Sequence, residues 1–368
     1  MYAMRILTRY VLREYLMPLS YCLIGFVSIY ILFELFGSFS RLMAASPAWE
    51  KTVRYFAGYL APYFEWLAPA CLMLATLYTM WNFCRHSELV AMRASGIGFF
   101  AIVKPLLFVA VLMAVFVAYV NEVFVPANAQ WAKHFRDARF REDDMVQSSN
   151  IVYCNPVENR TWNVGMMVTD DAKVLEDVTV SIVYPEGGRK MTVKSDRAEY
   201  LDGQWWLLHP LVFYFDRQGG EMASPVPELE RLSLRAFSEF SEEPRDFILQ
   251  NRNTQYFSTL DRVHFLRTHP SMTAKDRMRF EYDLWAQVAA PLACIVITLF
   301  AIPAGIATGR QSVFKGIVGA LAMFFAFYAL TIGFMVLARL GWCPPVLAAF
   351  LPDALFFAIG CRLFWLHR

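Results

Sequence analysis

The chain has 368 residues, of which 57% are hydrophobic, 16% aromatic and 18% charged. Ordinary soluble domains carry roughly 25% charged and about 45–50% apolar residues, so a purely soluble or disordered protein is excluded. A formal net charge of +2 gives nucleic-acid binding no electrostatic support.

The apolar residues concentrate in 16–125 and 280–365 and leave a charged stretch between them. In chain order, residues 3–15 (AMRILTRYVLREY) gather Ile6, Tyr10, Val11 and Tyr15 near one helical face and Arg5, Arg9 and Arg13 on another. This suits either a helix lying on the inner leaflet or a cytoplasmic extension of the first span with snorkelling arginines. Crossing about 30 Å of hydrocarbon takes roughly 20 mainly apolar residues, and 16–40, 57–83 and 99–125 qualify. The first of these has a long apolar run with no A-x-A-type cleavage site at the usual distance, so it is expected to stay as a helix and not to be removed.

Between the second and third spans, CRHSELVAMRASGIG (84–98) describes a short amphipathic helix at about 86–96, capped by Ser87 and Gly96. Such a helix, with one acidic residue and an apolar stripe, can dock into a groove on a soluble partner; a surface-lying connector is the alternative reading.

The middle segment alternates as strands do. LEDVTVSIVY (175–184) runs into Glu186-Gly187-Gly188 and then RKMTVKSDRAEYL; Asp202-Gly203 leads into QWWLLHPLVFYF, closed by Asp216-Arg217-Gln218-Gly219-Gly220. Successive hairpins of this kind build one β-sandwich or jelly roll. Cys154 is the only cysteine there, so no internal disulfide is expected. The other six cysteines read as small packing residues at the spans. STLDRVHFLRTHP (258–270) reads as a short helix stopped by Pro270, and Thr273-Ala-Lys-Asp276 as a capping box opening the next helix. Three more spans follow at 280–302, 313–338 and 344–365.

The expected architecture is therefore six transmembrane helices with an all-β domain inserted between helices 3 and 4. Residues 1–125 hold the first three spans, 126–279 the extramembrane domain with connecting helices, and 280–368 the last three spans. With the N-terminus inside, the cytoplasmic segments hold Arg5, Arg9, Arg13, Arg85, Arg93, Lys104, Arg310, Lys315, Arg362 and Arg368. The short outer loops hold Arg41, Lys51, Arg54 and Arg339. This excess of inner basic residues predicts cytoplasmic termini and, in a bacterial inner membrane, a periplasmic middle domain.

Chemistry-bearing motifs are missing. The sequence has no G-x-x-x-x-G-K-[ST] phosphate loop, H-E-x-x-H, G-x-S-x-G or EF-hand pattern, and no histidine pair at i, i+4. Within the expected span interiors the acidic residues are chiefly Glu34 and Glu65; carboxylates are expensive in lipid and should face a cavity or another helix. Transport or scaffolding is the natural class, not catalysis, and no metal site or cofactor is expected in this chain.

SELVAMRASGIG resembles the coupling-helix signature of the LptF/LptG (YjgP/YjgQ) lipopolysaccharide-export permeases. LTRYVLREYL, EVFVPANAQWAKHFR, YDLWAQVAAPLACIVITLFAIPAG and LGWCPPVLAAFLPDALFF are similar to the same family, and the Pro344-Pro345 exit leans toward the LptG side. The resemblance implies a periplasmic β-jellyroll between spans three and four. It also implies an ABC exporter half that pairs with a second such permease and with a cytoplasmic ATPase dimer, which would bind the ATP and magnesium. Such a complex takes lipopolysaccharide from the outer leaflet and passes it to periplasmic β-jellyroll bridge proteins toward the outer membrane.

By the same resemblance, Glu88 transmits the nucleotide-driven motion, with Leu89, Met92 and Arg93 filling the docking surface. Lys133 and Arg136 sit in the K-x-x-R spacing proposed to meet lipopolysaccharide, with Arg41 a third candidate, since cations at the membrane edge suit lipid A phosphates. Glu34 is a fourth candidate for the lipopolysaccharide site; relatives often have a basic residue there, and the opposite sign would instead let it pair with Arg41 or with a cation of the partner permease. Spans one and five are implied as the lateral gates; their apolar residues (Phe26, Ile29, Phe33, Phe36; Phe324, Phe325, Phe327, Met335) either line the cavity for the acyl chains or face lipid and neighbouring helices. Two rival readings are a mechanotransmitting ABC subunit with a regulatory outer domain and no lipid cargo, and a membrane-bound enzyme acting on envelope lipids.

Overall fold

The computed structural model describes residues 2–141, 149–155, 157–167, 172–184, 188–216, 220–222, 234–270, 272–310 and 313–366. Arg368 and the turn residues Glu186, Gly187, Arg217, Gln218 and Gly219 lie outside them. The chain divides into two compact units, one of residues 1–133 with 274–368 and one of residues 134–273.

The first unit is helical. Helix α1 (Tyr2–Ala45) runs without interruption for 44 residues, about 66 Å at 1.5 Å per residue, against about 30 Å of hydrocarbon. Residues 3–15 are thus an extension of the first span and do not form a separate helix. Val11, Tyr15 and Leu19 bury there against the neighbouring helices, which fixes the direction of this extension. Pro18 lies inside α1 and cannot donate to the Glu14 carbonyl; Thr79 Oγ1 donates to that carbonyl instead, at 3.4 Å.

Helix α2 (Trp49–Leu60), a 3₁₀ turn (Ala61–Tyr63) and α3 (Phe64–Arg85) form the second apolar stretch. The seven-residue α4 (Glu88–Ala94) follows. Then come α5 (Phe99–Tyr119), a π turn (Val120–Phe124) and α6 (Val125–Asp137). Gly58 lets α2 meet α6 closely, since a Cβ there would lie 2.6 Å from the Asn128 carbonyl oxygen.

The return half comprises α9 (Ala274–Ala289), α10 (Leu292–Arg310), α11 (Val313–Arg339) and α12 (Pro345–Leu366). Among the described residues five helical stretches are long and apolar enough to cross a membrane: Ile6–Ala45, Trp49–Arg85, Phe99–Asp137, Leu321–Arg339 and Pro345–Trp365. A sixth is a bent pair, Ala274–Ala289 and Leu292–Ile306, at 52°. The expected fourth span, read from hydropathy as one straight run over 280–302, is therefore broken. Pro291 stands in the break, where it removes a backbone donor and crowds the preceding turn.

The second unit is built on one eight-stranded antiparallel sheet: β1 (Ser149–Asn155), β2 (Arg160–Met167), β3 (Val174–Val183), β4 (Arg189–Leu201), β5 (Gln204–Leu208), β6 (Leu211–Phe215), β7 (Glu221–Met222) and β8 (Leu234–Phe237). The order is β1-β2-β3-β4-β5-β8, with β6 pairing β4 and β7. Between β4 and β5, Asp202 and Gly203 both have positive φ, 53° and 77°, and Leu201 pairs with Gln204. That is the two-residue hairpin geometry whose twist matches the strands.

The expected single strand QWWLLHPLVFYF is split at His209-Pro210. Proline has no donor for the ladder, and both pieces still run along β4, with Arg197 opposite Leu208 and Lys194 opposite Leu211. Ser195 Oγ donates across the gap to the Leu208 carbonyl at 2.6 Å. The unit is not all-β. Helix α7 (Pro244–Asn251) inserts Phe247 among Trp162, Trp205 and Phe240 in the core. Helix α8 (Thr259–Thr268) is capped reciprocally by Ser258 and Asp261.

Candidate functional site

Helix α4 stands between two long helices, so its position is set by its neighbours more than by its own seven residues. Its C-terminus is shaped as the sequence suggests. Gly96 has φ +84°, its N–H bonds to the Arg93 carbonyl at 3.0 Å, and the Ile97 N–H reaches Met92 at 3.2 Å, a Schellman closure. The N-terminus corrects the expectation. Ser87 sits at φ 56° with no side-chain capping bond, because the chain turns sharply out of α3 there and the hydroxyl cannot reach the first helical donors.

The four coupling candidates separate onto two faces. Leu89 is 6% exposed and packs in the helical core, with Met92 partly buried against the same cluster. Both therefore turn toward the protein's own spans, as the apolar stripe of a short helix on a helical bundle does. Val90, 60% exposed, and Ala91, Arg93 and Ala94, all exposed, form the outward face. Glu88 is half-buried between the two faces, and its Oε2 accepts a 2.8 Å hydrogen bond from the Tyr10 hydroxyl.

These placements give opposite expectations for neighbouring residues. Leu89→Ala removes a core side chain and should lower stability by about 2–5 kcal/mol, read as a fall in the thermal aggregation midpoint of the detergent-solubilised chain. Val90→Asp should leave that midpoint unchanged and weaken whatever docks on α4, read by co-purification. A larger midpoint loss for Val90→Asp than for Leu89→Ala would reverse the assignment of faces.

Toward the other end of α1, Glu34 is buried and receives the hydroxyls of Ser38, at 2.7 Å, and of Tyr55 on α2. Tyr59, stacked on Tyr55 at 6.1 Å, faces the same carboxylate. The described contacts that hold this acid are hydroxyls of its own helix and of α2, whereas the sequence pointed to Arg41 or a partner's cation. Arg41 itself is exposed. The other acid, Glu65, accepts from Trp66 Nε1 at 2.8 Å and from Asn121 Nδ2 at 3.2 Å. Asn121 belongs to the π turn, and its carbonyl accepts from Gln287 Nε2 at 3.4 Å, so the extra residue of that turn presents polar groups to two other helices.

Lys133 and Arg136 lie one turn apart on α6 and are partly exposed. Arg136 Nε stands 4.0 Å from the neighbouring Asp137 carboxylate.

Three residues escape a reading of the sequence alone. Arg54 lies over Trp131 at 4.3 Å and donates to Asn128 Oδ1 at 3.3 Å, which ties a basic residue to α6. Asp353 is a further acid within the apolar helices and is buried in α12. Its signal was present as a lone carboxylate in the apolar run PPVLAAFLPDALFF. Tyr10 had no local signal, since its partner lies 78 residues away.

A family model described as lipopolysaccharide export system permease LptF/LptG matches residues 9–367. No curated protein matches the chain.

Proposed function

Because this chain belongs to the LptF/LptG family of lipopolysaccharide export permeases, we propose that it is one of two permease subunits of an ABC exporter that lifts lipopolysaccharide from the outer leaflet of the inner membrane. The family is one of transporter permeases and not of enzymes, and its model joins the LptF and LptG types, so the chain is assigned to the pair and to neither member. ATP and magnesium belong, on this reading, to a cytoplasmic ATPase dimer that docks on α4. The β-unit lies in the periplasm as a β-jellyroll and hands the lipid to bridge proteins of the same kind. Six spans, with the bent α9–α10 pair as the fourth, put both termini in the cytoplasm, in keeping with the excess of basic residues in the inner loops.

The observation that carries the proposal is the extent of the family match, which runs through both helical halves and the sheet between them. The bared outer part of α1 supports a partner there: Phe33 is 76% and Phe36 82% exposed, and an apolar face of this kind is covered in use by lipid, acyl chains or a second permease. In this scheme Lys133, Arg136 and Arg41 offer charge-assisted bonds to lipid A phosphates. Glu34 holds α1 to α2 instead of meeting the cargo.

Co-expression with a candidate ATPase and a second permease should return a stable complex carrying lipopolysaccharide. The double charge reversal Lys133→Glu with Arg136→Glu should reduce photo-crosslinking of lipopolysaccharide to that complex severalfold. Recovery of the chain without ATPase or lipid would overturn the proposal and favour a regulatory membrane subunit. Undiminished crosslinking in the double variant would remove those two residues from the lipid path.

A further inference from the structure

The contact between Tyr10 and Glu88 has no place in the docking role of α4 as described so far, and it joins the connector to the longest helix of the protein. Three polar contacts clamp the first part of α1 to the α3–α4 region. Tyr10 Oη donates to Glu88 Oε2 at 2.8 Å. The Glu14 carbonyl, left without its helical donor by Pro18, accepts from Thr79. The buried Tyr15 hydroxyl lies 3.2 Å from Thr76 Oγ1. The Tyr10 ring is braced against Phe83 of α3, with centroids 6.1 Å apart.

Of the three, only the Tyr10 bond reaches α4 itself. It is also the only one with an ionisable acceptor, and such bonds are shorter and roughly twice as strong as neutral ones. Glu88 therefore faces inward onto α1 at the same time as Val90, Ala91, Arg93 and Ala94 face outward. Helix α1 then continues unbroken to the Glu34, Ser38 and Tyr55 cluster near its other end. Its stretch from Ile24 onward is largely uncovered by the rest of the chain, with Ile29 61% exposed. A displacement of α4 pulls on one end of a continuous rod whose other half few neighbours of its own chain restrain.

We propose that Tyr10 is a positioning residue that latches α4 to α1, so that force applied to α4 is delivered directly to α1 and not only through α3 and α5. The inference rests on the transport reading given above and deepens it by naming the residue that passes the motion inward.

The test uses the full chain assembled with its ATPase and second permease in lipid nanodiscs, with lipopolysaccharide released per ATP hydrolysed as the readout. Tyr10→Phe keeps the ring against Phe83 and deletes only the hydroxyl. It should assemble and hydrolyse ATP but release at least about threefold less lipid per ATP. Combined with Glu88→Gln, its loss should be smaller than the product of the two separate losses, because both changes act on one bond. A merely structural role would lower the yield of complex and leave the ratio unchanged, and the ratio is taken only on assembled complex. A Tyr10→Phe ratio equal to that of the unsubstituted complex, or losses that multiply, would overturn the latch. If the unsubstituted complex itself bound no ATPase or released no lipid, the transport reading would fail instead.

Discussion

Glu88→Ala and Glu88→Lys should abolish lipopolysaccharide export while the chain persists in the membrane at its normal level. The expectation follows from where the residue sits. Glu88 opens α4, so its carboxylate interacts favourably with the helix N-terminus, an effect of roughly 0.3–1 kcal/mol at a surface. Its side-chain bond to Tyr10 is itself near the surface, and bonds to charged groups contribute about 1.5–3 kcal/mol. Leu89 and Met92 hold α4 in the helical core independently of Glu88. Folding therefore survives the substitution, and what disappears is the carboxylate between the outward face of α4 and the first helix. Lysine goes further than alanine by placing a positive charge at the positive end of a helix. Complementation of a strain depleted of the permease measures export, and immunoblotting of membranes measures the level. Export and ATPase coupling at normal values in either variant would remove Glu88 from the coupling path.

Arg160→Met unfolds the β-unit or leaves it close to unfolding. The Glu242 side chain is completely enclosed, and Arg160 Nη1 donates to its Oε2 at 2.7 Å. The guanidinium also donates to the Glu239 carbonyl at 2.9 Å, pairs with Glu158 and lies over Phe240 at 4.7 Å. Asn155 donates to the other Glu242 oxygen at 2.9 Å, and Trp205 Nε1 to the Glu242 carbonyl at 2.7 Å. Loss of the arginine strands a buried negative charge beside the two central tryptophans, a change that typically costs about 3–5 kcal/mol, a large part of the stability of a domain this size. Removing both partners together, as Arg160→Met with Glu242→Leu, leaves no fully enclosed orphan charge, since Glu158 is about one-third exposed, and should restore much of the loss. Hydrogen exchange of the β2 and β3 amides in the detergent-solubilised full chain reports the difference. A single variant as protected as the unsubstituted chain, or a double variant less protected than the single, would show that this pair does not organise the core.

Much of the architecture could be read before any coordinates. Period-two alternation and the Asp202-Gly203 turn located β3, β4 and the start of β5 within about a residue, because glycine and aspartate tolerate the positive φ that such a turn demands. The apolar stretches located the membrane-length helices because hydrocarbon thickness imposes a minimum length. The failures have local causes. Hydropathy is blind to backbone direction and so missed the bend at Pro291. Seven residues of α4 offer apolar side chains to two sides, and composition alone does not say which side meets the protein's own core.

The sequence by itself determined that the chain has a helical membrane part and a sheet between its halves, that its spans carry few charges, and that its motifs match one permease family. These follow from length, period and residue type, each a property of a short window of chain. Tertiary structure alone decided that Leu89 turns inward and Val90 outward, that Glu34 is held by the hydroxyls of Ser38 and Tyr55, that Arg160 is enclosed with Glu242, and that Tyr10 reaches Glu88. Nearly all of these facts depend on residues brought together from distant parts of the chain, where burial makes a polar partner obligatory, and no local pattern names that partner.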